Sequence, residues 1–218
     1  MQDLNYDMII WDWDGTLMNS TPTIVDCMQK SCMDLGMPIP SNEIASHVIG
    51  LGLHDAVKIA IPSISESEYE LVSQRLRHYY LKQEHDLVLF LGVRELLEEL
   101  KKRGHILAVA TGKPRLGLNR SLEKHQLGHL FNLSRTADET KSKPHPQMLL
   151  ELLDQTGIPA HRSLMIGDTT HDLLMAKQAG VPGLAVAYGA HPESQLLSYE
   201  PVACFREVKE LSKFLLSS

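Results

Sequence analysis

The stretch that most constrains this chain is WDWDGTLMNS, residues 11–20, which follows the apolar run Met8-Ile9-Ile10. A short apolar run that stops on an aspartate reads as a buried strand. Its carboxyl end delivers Asp12, with Asp14 two residues on and Gly15 making the turn. Two carboxylates then share one small space. Like charges that close raise each other's pKa and repel, so the pair makes chemical sense where a cation or an incoming electrophile uses it. A strand ending in a solvated turn would carry the same letters, so the rest of the chain has to decide between the two.

Three later pieces decide it. Leu107-Ala108-Val109-Ala110 ends on Thr111-Gly112-Lys113, Leu164-Met165-Ile166 ends on Gly167-Asp168-Thr169-Thr170-His171-Asp172, and Lys143-Pro144-His145-Pro146 stands between them. From Gly92 onward the pattern alternates. Helices are expected over 93–103, 114–125, 145–156, from Thr170 or His171 to Gly180, and over 208–216; strands over 105–111, 130–134, 163–167 and 183–187. Strand, helix, strand in this rhythm requires right-handed crossovers, hence a parallel sheet with helices on both faces. Such sheets bind ligands beyond the carboxyl ends of their strands, where Asp12, Thr111 and Asp168 all fall. Residues 190–201, polar and with two prolines, read as a surface loop.

Between the first strand and this alternation lie only helices. Ser20 or Thr21 can cap the first, with Pro22 in its first turn and Gly36 as its stop. Shorter helical pieces follow over 42–48 and 53–61, broken by Gly50-Leu51-Gly52. Ser65 and Glu68 have capping-box spacing and open a long helix with Leu71, Val72, Leu76, Tyr79 and Tyr80 on its apolar side.

These motifs, in this order, resemble those of the haloacid dehalogenase superfamily of phosphohydrolases over residues 7–190: DxDGT at 12–16, a hydroxyl residue closing a strand at Thr111, the lysine of KPxP at Lys143, and GDxxxD at 167–172. The resemblance implies an α/β fold, a doubly wound parallel sheet forming a Rossmann-like core (1–17 and 88–218), with a small all-helical cap domain (18–87). It implies Asp12 as nucleophile, forming an aspartyl-phosphate, and Asp14 as general acid and base. Mg2+ suits an all-oxygen cluster, and its ligands would be Asp12, the backbone carbonyl of Asp14 and Asp168, with Asp172 ligating or just behind. Thr111 and Gly112 would donate to a phosphate oxygen. Lys143 is the favoured counter-charge, with Lys141 and Lys113 as competitors; Lys113 also falls where substrate binds. In related capped phosphatases the cap segment matching the loop 48–53 faces the leaving group, which brings in Gly50 and the flanking His47 and His54. The expected activity is hydrolysis of a small phosphate monoester, phosphoglycolate-like; the rivals are a phosphosugar mutase of the beta-phosphoglucomutase type and a non-catalytic phosphate- or protein-binding relative. Asn19, where many relatives have aspartate, and Leu91, where proline is frequent, depart from the pattern outside the four motifs.

The composition fits. A chain of 218 residues with 43% hydrophobic and 22% charged residues can build one core and a small accessory domain. A formal charge of −6 argues against nucleic acid or an anionic membrane as the main partner. Cys27, Cys32 and Cys204 form no CxxC and leave an odd count, so they read as reduced thiols in a cytoplasmic protein, a monomer or weak homodimer. No apolar run is long enough to span a bilayer, and no secretion signal is evident. The eleven histidines include no HxH and a lone HxxxH, His125 and His129, that lies outside the four motifs and has no third ligand in register, so no dedicated histidine zinc site is expected.

Overall fold

The computed structural model describes residues 6–217. Its centre is a six-stranded parallel sheet in the order β3-β2-β1-β4-β5-β6. Those strands are β1 (Met8–Trp11), β2 (Ile106–Thr111), β3 (Leu133–Thr136), β4 (Ser163–Gly167), β5 (Gly183–Val186) and β6 (Cys204–Phe205). From β1 the chain winds outward through β2 and β3, then returns to the other side of β1 for β4, β5 and β6. The reversal leaves a crevice over the carboxyl ends of β1 and β4, and Asp12 and Asp168 follow directly on those two ends.

Helices on both faces explain why β1 is apolar throughout. Ile9 and Trp11 point to the side of α5 (Val93–Lys102) and α10 (Val208–Leu216), joining Leu97, Leu107, Val109 and Leu211. Met8 and Ile10 point the other way, to α7 (Gln147–Thr156) and α8 (Thr170–Ala179), joining Ala108, Leu149, Met165 and Ala176. All four β1 side chains are fully or almost fully buried, each stabilising the fold by roughly 1.5–3 kcal/mol. α6 (Arg115–Lys124) completes the sheet's dressing; from it Ser121 accepts a hydrogen bond from the indole of buried Trp13 at 3.0 Å.

Between β1 and α5 stand α1 (Thr21–Asp34), α2 (Asn42–His47), α3 (Leu53–Ala60) and α4 (Glu66–Gln83). They pack around their own apolar cluster, which includes Met28, Cys32, Val48, Val57 and Val72. Two chain connections join them to the sheet. These run side by side, with Asn19 N–H donating to Val88 O and Phe90 N–H to Leu17 O, each at 3.0 Å. The Ser65–Glu68 capping box forms as the spacing predicts, and Gly36 takes the left-handed conformation (φ 64°) just past α1.

Several expectations are corrected. Ser20 sits at the N-cap of α1 yet makes no side-chain cap bond, because its hydroxyl donates to Asp14. Leu71 is 51% exposed rather than on the apolar side of α4. β3 begins three residues later than periodicity suggests, and α7 starts at Gln147, past the prolines of the KPHP motif. Within 190–201 lies α9 (Glu193–Leu197), followed by β6, two elements too short to show a period. The three cysteines are free, and among the described residues no helix is long and apolar enough to cross a membrane.

Candidate active site

Asp12 emerges from β1 fully buried, its backbone N–H tied to Ile166 O of β4 at 2.9 Å. The Lys143 ammonium sits 2.7 Å from its Oδ1 and 2.6 Å from Asp172 Oδ1. The first contact is a close ion pair rather than an aligned hydrogen bond, and Asp12 Oδ2 has no partner among the described residues. Buried carboxylate oxygens without partners are rare, because each forfeits its hydration. Here the orphaned atom points to something the site is built to receive.

Asp168 is held by a collar of small residues. Its Oδ1 accepts from Thr16 Oγ1 at 2.8 Å and its Oδ2 from Ala190 N–H at 2.7 Å. A Cβ at Gly15 or Gly189 would stand 2.1 or 2.2 Å from that Oδ2, and Gly15 also has φ 84°. Only glycine permits this approach at either position. Asp172 serves α8 directly: Thr169 is the N-cap, and Asp172 Oδ2 accepts from Thr169 N–H at 3.1 Å and from Thr169 Oγ1 at 2.6 Å in a capping box. The cap of this helix is thus Thr169, and Asp168 is left to the crevice.

The carboxylates of Asp12, Asp168 and Asp172 lie within 4.8 Å of one another. Burial pushes Asp12 well up; Lys143 opposes the shift, while Asp172 and Asp168 add to it. Burial, then Asp172, raises Asp168 to about 7. Burial works against the charged form of Lys143, but Asp12 and Asp172 outweigh it and hold its pKa above the ordinary lysine value. One ammonium faces three acids. The orphaned Asp12 oxygen and the all-oxygen donor set fit a hard divalent cation.

A pH dependence follows. A raised carboxyl pKa contributes stability that is full below the ordinary value near 4 and is lost as pH climbs through about 7. Glu139 and Glu151, which are lowered by hydrogen bonds from Arg115 and from Gln147 and Arg135, contribute in the opposite sense but finish titrating below about pH 5. His125, His171 and His191, all lowered by burial, gain stability over the same interval and oppose this trend in the metal-free protein. The difference that Mg2+ makes isolates the cluster, and millimolar Mg2+ is expected to raise the melting temperature of the chelator-treated protein more at pH 8 than at pH 6. Thermal melts with EDTA and with Mg2+ at both pH values check this; an equal or smaller gain from Mg2+ at pH 8 would contradict the assigned cluster.

Asp12, Asp14, Thr111, Gly112, Lys113 and Gly50 all line one cavity of about 320 Å³, roofed by α1, α3, α4 and the loop after α2. Lys143, Asp168 and Asp172 stand behind Asp12. Asp14 accepts from Ser20 Oγ at 2.8 Å and from Lys113 Nζ at 3.1 and 3.0 Å, and the same ammonium donates to Tyr80 OH of α4 at 2.7 Å. Tyr80 was expected only as packing, so its place in this chain of contacts is new. Thr111 Oγ1 accepts from Lys113 N–H at 3.2 Å. The loop after α2 lies on the catalytic edge. A Cβ at Gly112 would come within 2.4 Å of the carbonyls of Gly50 and Leu51, one at Gly50 would approach Thr169 Oγ1 to 3.3 Å and Asp12 Oδ2 to 3.9 Å, and Gly52 N–H donates to Ser142 Oγ at 2.7 Å.

His47 falls outside the cavity, contrary to expectation. It ends α2, and its carbonyl accepts from His171 Nε2 at 2.7 Å and His191 Nε2 at 3.0 Å, while its ring stacks on His191. His54 is likewise outside, paired with Asp55 on the surface. The three imidazoles of His47, His171 and His191 converge with no spacing signal, because they come from three separate segments. Burial pushes His191 down to about 4, so its Nδ1 is free to accept from Thr170 N–H at 3.1 Å.

A family model described as haloacid dehalogenase-like hydrolase matches residues 9–186. The probable phosphatase IndB of Dickeya dadantii is 38% identical, over 96% of this chain and 94% of its own. The phosphoglycolate phosphatase of Aliivibrio fischeri is 34% identical over 94% of each. The crystal structure of a predicted phosphoglycolate phosphatase from Haemophilus somnus superposes with a TM-score of 0.84 at 26% identity, covering 97% of this chain and 98% of that one.

Proposed function

The chain belongs to the haloacid dehalogenase-like hydrolases and is a phosphatase; from that premise we propose that it hydrolyses a small-molecule phosphate monoester with Mg2+, through an aspartyl-phosphate on Asp12. The observation that carries this reading is the buried, unpartnered Oδ2 of Asp12 beside a cavity, with Lys143 against its other oxygen. In the first step Asp12 attacks phosphorus, the bond from phosphorus to the ester oxygen breaks, and Asp14 gives that oxygen its proton. In the second, water attacks the phosphoryl group, Asp14 takes the water's proton, and inorganic phosphate leaves Asp12 free. The ion pair of Asp14 with Lys113 suits the second step, when that carboxyl has to be charged. Thr111 and the N–H of Gly112 hold the phosphoryl oxygens, and Lys143 offsets their charge. Bound Mg2+, held by Asp12, Asp168 and the backbone carbonyl of Asp14 with Asp172 behind, supplies further positive charge to the transferred group. Residues 18–87 form a cap domain on a core of 1–17 and 88–218, and its closure over the cavity excludes water.

Two variants separate the roles. Asp14→Asn is expected to slow turnover by about 10²- to 10⁴-fold with little change in the Mg2+ concentration giving half-maximal rate. Asp168→Asn should raise that concentration by about tenfold or more, as loss of a ligand does. Titrating Mg2+ against each variant decides, and equal shifts in metal requirement would contradict the assignment.

A further inference from the structure

We infer that the site is built for a phosphate monoester whose leaving group is an apolar alcohol of ring size or larger, rather than a two-carbon hydroxy acid such as glycolate; the inference rests on the phosphatase reading above. The cavity that begins at Asp12 and Asp14 has walls of Ile24 and Met28 from α1, Leu53 from α3, Leu76 and Leu81 from α4, and Leu116 from α6. Leu81 is 45% and Leu116 is 74% exposed, although both line it. Apolar surface is thus left open to solvent on both sides of the mouth, continuous with the reacting carboxylates. At about 320 Å³ the cavity reaches the size that encloses ring-bearing ligands.

The charges around it do not suit a small carboxylate. Lys113 is the buried cation that lines the cavity, and its ammonium already faces both oxygens of Asp14 and the hydroxyl of Tyr80. A lysine has three donors, so this set is complete. Arg120 is an exposed residue committed to Glu84 at 3.0 Å, Arg77 is exposed as well, and the remaining lining acid, Asp138, would repel an anion. A carboxylate carried two carbons from phosphorus would be desolvated between leucines with no buried cation free to pair with it, since the uncommitted lining cation, Arg77, is exposed, and that is costly. An apolar group in the same place gains about fourfold in binding for each methylene removed from water.

The test is a series of primary alkyl phosphates with Mg2+: ethyl, butyl and hexyl phosphate, 2-phenylethyl phosphate, and 2-phosphoglycolate as the small acid. The expected kcat/KM rises about fourfold per added methylene until the cavity is filled, which puts hexyl over ethyl phosphate by about 10². Hexyl and 2-phenylethyl phosphate should exceed 2-phosphoglycolate by at least about tenfold, since the latter loses a buried charge's hydration without a partner. Leu116→Gln and Leu76→Gln should each lower the hexyl-to-ethyl ratio by about fourfold or more, one methylene's worth of apolar contact; Leu116 is exposed enough that its variant folds. A flat series, a preference for 2-phosphoglycolate, or an unchanged ratio in both variants overturns the inference while leaving the phosphatase reading intact. No turnover of any ester with Mg2+ overturns both.

Discussion

Asp12→Asn is expected to lose at least about four orders of magnitude in turnover, beyond the ~10²- to 10⁴-fold typical of a lost acid or base, because the amide keeps the shape of the side chain but its neutral oxygen is far too weak a nucleophile to attack phosphorus. Its stability should move the other way. The wild-type carboxylate is fully buried beside Asp168 and Asp172, and burial and those neighbours already push its pKa up. A neutral amide removes that like-charge repulsion, and its N–H2 can donate to the acids. Lys143 keeps Asp172 as counter-charge at 2.6 Å. Without added metal the variant should therefore melt at or above the wild-type temperature at pH 8, the trade of stability for activity expected where a site stores unfavourable charge. Steady-state rates, a thermal melt and an acid-quench search for phosphoenzyme check it. More than a few per cent residual activity, or a phosphoenzyme still formed by the variant, would remove Asp12 from the nucleophile's role.

The parts of this site that sequence made legible are those set by strand ends. An apolar run stopping on Asp12, Thr111 or Gly167-Asp168 reports both the strand and the side chain it delivers, and the parallel sheet brings the three ends together without further information. What spacing could not show is what other segments bring to those ends. Gly189 and Ala190 close on Asp168 from the turn after β5, and a glycine after a strand carries no sign of which carboxylate it accommodates. Tyr80 lies on a helical stripe that predicts packing, and its hydroxyl reaches Lys113 only because α4 lies over the crevice. His47, His171 and His191 meet through three-dimensional convergence alone, which is why a search for ligand spacing passed over them. His47 was placed by its neighbour Gly50. Yet α2 ends at His47 and the chain turns away before Gly50 (φ 90°), so Gly50 meets the catalytic edge while the carbonyl of His47 docks on α8 and the turn after β5.

Lys143→Met is expected to be the most destabilising single change at the site. Lys143 is 1% exposed, between Asp12 and Asp172. Methionine fills nearly the same volume, so the loss is electrostatic: two buried carboxylates without their ammonium. Removing one partner from a buried ion pair costs about 3–5 kcal/mol, and a chain of this size loses roughly 2–4 °C of melting temperature per kcal/mol, so a fall of about 6–20 °C is expected at pH 8. The fall should shrink toward pH 5, where Asp12, already raised by burial, can take up a proton in place of the lost cation. Mg2+ should restore part of the stability, because it supplies positive charge to the same acids, but not the turnover, because in the proposed mechanism Lys143 also offsets the charge of the transferred phosphoryl group. Lys143→Arg separates charge from shape. It keeps the positive charge, so it should melt closer to wild type than the methionine variant does. A planar guanidinium, however, does not reproduce a point contact to two oxygens at 2.6 and 2.7 Å, so its activity should stay low. Equal melting temperatures for wild type and Lys143→Met at pH 8 would mean that the bonds from Thr169 to Asp172 already satisfy the cluster and that the lysine serves the reaction alone.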